Sequence, residues 1–134
     1  MTKPRFEERK RELGHSVRRL LEATAQPHGD IVRDAVIQRF EFTFELTWKT
    51  LKLYLERQGL ETGGPRQTFR KAFAEGLVPT AEEGDVWMRM LEDRNLTVHT
   101  YDESLAEQIY QRIVSDYAPI LQSLAARIGG LSWD

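Results

Sequence analysis

The segment Arg94-Asn95-Leu96-Thr97-Val98-His99-Thr100-Tyr101 gathers a guanidinium, an amide, an imidazole and a phenol in a short stretch of chain. Arginine holds phosphate oxygens through a planar fork of donors. Histidine titrates near neutrality and can take up or release a proton. Together they describe a site that could engage a phosphate with a proton-transferring group beside it. In one unbroken helix, residues five apart point more than a right angle away from each other. The β-branched Thr97 and Val98 weaken a continuing helix. Thr100 followed by Glu103 spells a capping box, so the next helix is expected to begin at Thr100. On that reading His99 sits beside a helix N-terminus, whose unpaired N–H groups favour an anion. Arg94 and His99 can then turn toward one point, and the Tyr101 hydroxyl can reach the same cleft. A plainer account competes with this one. Arginine in a last helical turn answers the helix dipole, and a histidine just outside a helix start is commonly a loop residue.

Proline and glycine divide the rest of the chain into about five helical pieces. The first opens at Pro4 and runs to about Ala25, with Val17, Leu20, Leu21 and Thr24 at helical spacing. Asp30 looks like the N-cap of a long second helix, Ile31 to Gln58, closed by Gly59. Pro65 suits the first position of a short third helix that ends at Gly76. A fourth runs from about Ala81 to Asn95, with Val86, Trp87, Met90 and Leu91 facing inward. The fifth continues from Thr100 to Gly129-Gly130, and Pro119 inside it should kink it by removing a backbone donor. The tail Leu131-Ser132-Trp133-Asp134 either docks or frays.

The second helix positions the rest. Ile37, Phe40, Phe44, Trp48, Leu51 and Leu55 form one apolar stripe at about 100° per residue, and Ile31, Ala35, Phe42, Leu46 and Leu53 form another nearly opposite. A helix with two opposed stripes is buried on both. One faces the bundle; the other faces a further helix or a second subunit. Between them run Glu41, Glu45, Lys49 and Lys52, either a solvated flank or a polar strip with work to do. Glu45 and Lys49 stand in the favourable order for an ion pair.

The 134 residues fit one domain spanning 1–134, with 40% hydrophobic and 30% charged residues, a composition that excludes disorder. No cysteine is present, which removes disulfides, thiolate zinc sites and cysteine nucleophiles. A net charge of −2 argues against nucleic-acid binding over a broad surface, though a local phosphate site needs only a few groups. No apolar run is long enough to cross a bilayer and no apolar signal core follows Met1-Thr2-Lys3-Pro4-Arg5, so a cytoplasmic location is expected. His15, His28 and His99 are scattered, so neither a metal nor another cofactor is expected. Thr62-Gly63-Gly64-Pro65-Arg66 lacks the spacing and lysine of a phosphate loop. The carboxylate pair of a nucleotidyltransferase is missing too, so any nucleotide transfer must be catalysed by another chain.

The order arginine, four residues, histidine, one residue, tyrosine in Arg94–Tyr101 resembles the signature of HEPN domains. The stretch Ile37-Gln38-Arg39-Phe40-Glu41-Phe42-Thr43-Phe44-Glu45-Leu46-Thr47-Trp48-Lys49 resembles the second-helix motif of one branch of them, the nucleotidyltransferase substrate-binding protein family. The resemblance runs from the first helix through Tyr117. It implies an all-α, up-and-down bundle of four or five helices that forms homodimers. It implies a separately encoded partner, a minimal nucleotidyltransferase, in a toxin–antitoxin pair. The HEPN protein would be a metal-independent endoribonuclease acting on RNA, and the partner would silence it by adenylylating the motif tyrosine. By that resemblance Arg94 and His99 are catalytic, Asn95 lies beside them, Tyr101 is the modified residue, and Glu41 or Glu45 supports them, Glu45 by orienting the histidine. Two other readings stand: a non-catalytic subunit that binds substrate or nucleotide for the partner, and a plain helical scaffold.

Overall fold

Helix-favouring stretches punctuated by glycine and proline leave the chain one way to bury its apolar stripes, which is to fold the helices back on one another. The computed structural model describes residues 2–134. Helix α1 (Lys3–Thr24) starts from Thr2, whose hydroxyl accepts from the Arg5 amide, with a proline in its first turn. Helix α2 (Asp30–Arg57) begins at Asp30 itself. The N-cap is Gly29, which supplies no side-chain bond, so Asp30 serves as a first-turn acid facing the dipole and not as the expected cap. Gly59 ends this helix at φ +81°, in the left-handed region that glycine enters without strain. Helix α3 (Pro65–Ala74) is short, and α4 (Ala81–Leu96) is capped by the Thr80 hydroxyl.

The long last helix departs from expectation. It is α5 (Glu103–Arg112), a π turn (Ile113–Tyr117) and α6 (Ala118–Gly129) in series. The Ala118 amide reaches back to the Ile113 carbonyl, one residue further than in an α-helix. Pro119 has no N–H to offer, and the widened turn absorbs that loss next to the position where a kink was expected.

Helix α2 runs through the centre. It packs against α1, α3, α5 and α6, and α1 also packs against α6. The first stripe of α2 lies in the core as expected, with Phe40, Phe44, Leu51 and Leu55 fully buried and Trp48 half-buried. The second stripe divides. Leu53 is covered by Phe6 and Trp133, so the C-terminal tail docks. Ile31 and Phe42 stay in solvent at 86% and 56% exposure. Three buried threonines of α2, Thr43, Thr47 and Thr50, donate to the carbonyls one turn back at 2.6–2.7 Å, so burying them leaves no hydroxyl unpaired.

One polar network crosses the apolar interior. Asp93 of α4 is 5% exposed, and Arg112 grips it with two bonds of 2.7 and 2.9 Å. The Tyr117 hydroxyl donates to the same carboxylate at 2.5 Å. Burial and the neighbouring carboxylate both raise the Tyr117 pKa, so the phenol stays neutral and keeps its proton for Asp93. Tyr117→Phe removes one of three donors to a buried charge. We expect it to cost about 1.5–3 kcal/mol, the range for hydrogen bonds to charged groups. Urea unfolding checks this, and an unchanged midpoint would show that Arg112 alone suffices.

Candidate functional site

The residue after Asp93 is Arg94. Because α4 is pinned at Asp93, its last turn is fixed, and Arg94 emerges on the side facing α2. Its Nε lies 3.3 Å from Oε1 of Glu45. The charges touch, yet the N–H does not point along a bond, and among the described residues Arg94 Nε has no hydrogen-bond acceptor. Glu45 in turn accepts from the Trp48 indole at 3.1 Å and meets Lys49 at 3.8 Å, the ion pair its spacing predicted. The Arg94–Glu45 pair is about one-third exposed, so it contributes about 1 kcal/mol at most to stability. Its consequence is orientation.

Glu41, one turn before Glu45, completes the carboxylate side. Burial raises the pKa of its carboxyl, opposed by Arg94 and Thr97, while Glu45 adds to the rise. The Thr97 hydroxyl is itself engaged, donating to the Arg94 carbonyl at 2.7 Å and so closing the end of α4.

The connection to α5 differs from expectation. Thr97–His99 forms a 3-10 turn, and α5 begins at Glu103. The cap is Asp102, whose carboxylate accepts from the Leu105 amide at 3.2 Å. The Thr100 hydroxyl points backward to the Thr97 carbonyl, so the Thr100–Glu103 capping box does not form. Asp102 is the stronger partner because its charge meets the helix dipole as well as an amide. The N-terminus of α5 is therefore occupied by a carboxylate, and the anion site expected beside His99 cannot be drawn from it.

His99 and Tyr101 both stand in solvent, Tyr101 at 82% exposure. The Tyr101 hydroxyl lies 3.4 Å from His99 Nδ1, with the rings edge-on at 5.9 Å. Asn95 is exposed on the final turn of α4. The site thus comes in two pieces, one at the end of α4 and one from the last residue of the 3-10 turn onward. Arg94, Glu41 and Glu45 form one cluster, and His99 and Tyr101 form the other. Among the described residues no hydrogen bond or ion pair joins Arg94 to His99. Glu45, expected to orient the histidine, orients the arginine instead.

Asp93, Arg112 and Tyr117 were absent from the sequence-based site. They touch no exposed reactive group, but they fix the turn from which Arg94 projects. Nothing in the spacing of Asp93 and Arg112 marks them as partners, since they lie on different helices. Among the described residues no group of three histidine, cysteine or acidic side chains is placed to hold a metal ion, and no helix is long and apolar enough to cross a membrane.

Comparison with known proteins bears on this geometry. Residues 6–129 match the family described as nucleotidyltransferase substrate binding protein like. A Haemophilus influenzae protein named probable ribonuclease HepT is 34% identical over 94 residues, 62% of this chain and 61% of the relative. The match therefore spans less than two-thirds of that relative's length. A crystal structure of a Thermus thermophilus protein superposes with a TM-score of 0.80 at 40% identity, covering 87% of this chain and 98% of the other.

The raised Glu41 pKa has a consequence for stability. The folded protein binds this proton more tightly than the unfolded chain does. Stability is therefore lost as pH rises from the ordinary carboxylate value through the folded one. Glu41→Gln should flatten that part of the profile, as followed by thermal unfolding between about pH 4 and 7. An unchanged slope would mean that Arg94 already offsets the burial.

Proposed function

The chain belongs to the nucleotidyltransferase substrate binding protein like family, as a HEPN-domain protein, and from that premise we propose that it is a metal-independent endoribonuclease. The observation that carries the reading is the Arg94 guanidinium. It is held against Glu45 by charge and stays 27% exposed, on the same short segment as the exposed His99–Tyr101 pair. Likeness to the protein named probable ribonuclease HepT supports it.

In metal-free cleavage the 2′-oxygen of RNA forms a bond to phosphorus while the bond to the 5′-oxygen breaks. The 2′-hydroxyl loses a proton and the departing 5′-oxygen gains one, leaving a 2′,3′-cyclic phosphate. His99 is the group for these transfers. Arg94 offers its free donors to the phosphoryl oxygens as charge builds. Asn95, exposed beside Arg94, contacts the same phosphodiester. Glu41 and Glu45 hold the arginine in place by charge.

Two proton transfers call for two imidazoles, and His99 is the one histidine of the motif. A homodimer that places two Arg94–His99 segments across one cleft supplies both. Ile31 and Phe42, the solvent-facing part of the second α2 stripe, lie about three turns apart on one face and are open to such an assembly. A partner nucleotidyltransferase acts on Tyr101, whose exposed hydroxyl can attack the α-phosphorus of ATP. The phenolic oxygen forms the new bond, pyrophosphate leaves, and the bulky anion beside His99 shuts off cleavage.

Purified protein incubated with RNA and a chelator should yield cyclic-phosphate ends. His99→Ala and Arg94→Ala should each lower the rate by about 100-fold or more. Equal cleavage by wild type and both variants would sink the assignment. With ATP and the partner enzyme, the intact mass should rise by adenylate additions, and Tyr101→Phe should abolish the rise. A mass increase that survives in Tyr101→Phe would place the modification elsewhere.

A further inference from the structure

A second site lies between α3 and α4. A cavity of about 400 Å³ opens there, within the span of about 300–1,000 Å³ usual for small-molecule pockets. Its lining separates by chemistry. Phe69 and Trp87 are stacked at 4.5 Å and buried, and Phe73 beside them is 46% exposed. Arg66 and Arg70, one helical turn apart on α3, stand on one wall, and Asp85 of α4 stands on the other.

Three observations set this pocket apart from an ordinary seam between helices. First, among the described residues neither arginine lies within ion-pair distance of a carboxylate. The one bond of Arg66 runs across the cavity to the Met88 sulfur at 3.6 Å, a weak acceptor that a stronger one displaces. Second, the floor of the cavity is aromatic and close-packed, with Trp87, 1% exposed, stacked on Phe69. Third, α4 carries glycine at position 84 on the cavity wall, where a helix would gain from almost any other residue. A Cβ built there would sit 3.7 Å from the Phe73 ring, in ordinary contact. Sterics therefore permit a side chain at 84, and its absence keeps the space beside Phe73 open.

We propose that this pocket binds a nucleotide, with its base against Phe73 over the Phe69–Trp87 floor and its phosphate on Arg66 and Arg70. Aromatic faces stack on any base without regard to sequence, and paired guanidinium forks are suited to phosphate. Asp85, an acceptor on the far wall, suits ribose hydroxyls or an exocyclic amine. The occupant is either a free nucleotide or one residue of an RNA strand. Trp87 lies seven residues before Arg94, roughly 10 Å along the axis of α4, so a strand lying at Arg94 is near enough to fill it. The site does not depend on the ribonuclease reading, because no residue in it belongs to the Arg94–Tyr101 segment.

The test is calorimetric titration of the full chain with adenosine 5′-monophosphate, adenosine, inorganic phosphate and a short oligoribonucleotide carrying 2′-O-methyl groups, which cannot be cleaved. The monophosphate should bind at least tenfold more tightly than adenosine or phosphate alone. Arg66→Ala and Arg70→Ala should each weaken it about tenfold. Gly84→Leu should abolish it, while Gly84→Ala, which adds only the tolerated Cβ, should retain it. Circular dichroism of the Gly84 variants confirms that they stay helical. Binding of the oligonucleotide alone, with the same dependence on Arg66, Arg70 and Gly84, identifies the occupant as part of an RNA strand. The proposal falls if neither the monophosphate nor the oligonucleotide binds, or if binding persists in Gly84→Leu. Cleavage by the Gly84 and arginine variants, assayed in parallel, reports on the ribonuclease reading separately.

Discussion

The Asp93 carboxylate is the constraint on which the reactive end of the molecule depends. It is a charge in an apolar interior, and such a charge is tolerated only when its hydrogen bonds are supplied in full. Arg112 and Tyr117 supply them from the last long helix. The arrangement is demanding in geometry, because a bidentate guanidinium accepts only a narrow set of approaches. It therefore sets the relative position of α4 and the α5–π–α6 helix at one point. The loop carrying His99 and Tyr101 bridges those two elements, and Arg94 leaves α4 from the next position along. A surface pair such as Arg94–Glu45 can then specify direction without having to supply stability.

The two halves of the proposed active site are built differently. Arg94 sits in a surround of carboxylates and a threonine, partly shielded from solvent, where its charge is balanced and its approach limited. His99 ends the 3-10 turn and Tyr101 follows it, with short-range bonds along the segment. A fixed cation beside a more open base and nucleophile is a reasonable division of labour for a site that must admit an RNA strand and also present a tyrosine to another enzyme.

Much of the fold was legible from pattern. The inward stripe of α2, the glycine that ends it and the proline that opens α3 each act within a few residues, and local rules suffice for them. The site was legible as a list of residue types, and Glu45–Lys49 could be read because both lie on one helix. What could not be read is long-range or competitive. Asp93 and Arg112 meet only once two helices have packed. Thr100 with Glu103 spells a capping box, yet the charged Asp102 prevailed, which moved the start of α5 and removed the anion site drawn beside His99. The split fate of the second α2 stripe, with Leu53 roofed by Trp133 and Phe42 left bare, likewise depends on where the chain end returns.

The π turn at Ile113–Tyr117 makes the phase of the last helix depend on a single residue. Apolar positions from Ala106 to Ile128 recur at helical intervals, so the sequence looks like one continuous helix with a kink at Pro119. The widened turn inserts one residue's rotation, about 100°, between the halves. It lets the buried side face α2 before the turn and both α1 and α2 after it. Substitutions inside Ile113–Tyr117 change contacts near the altered side chain, but a one-residue deletion would swing the face of α6 by about 100° and detach it from α1. Length, together with the hydroxyl of Tyr117, is what natural variation must preserve in this stretch.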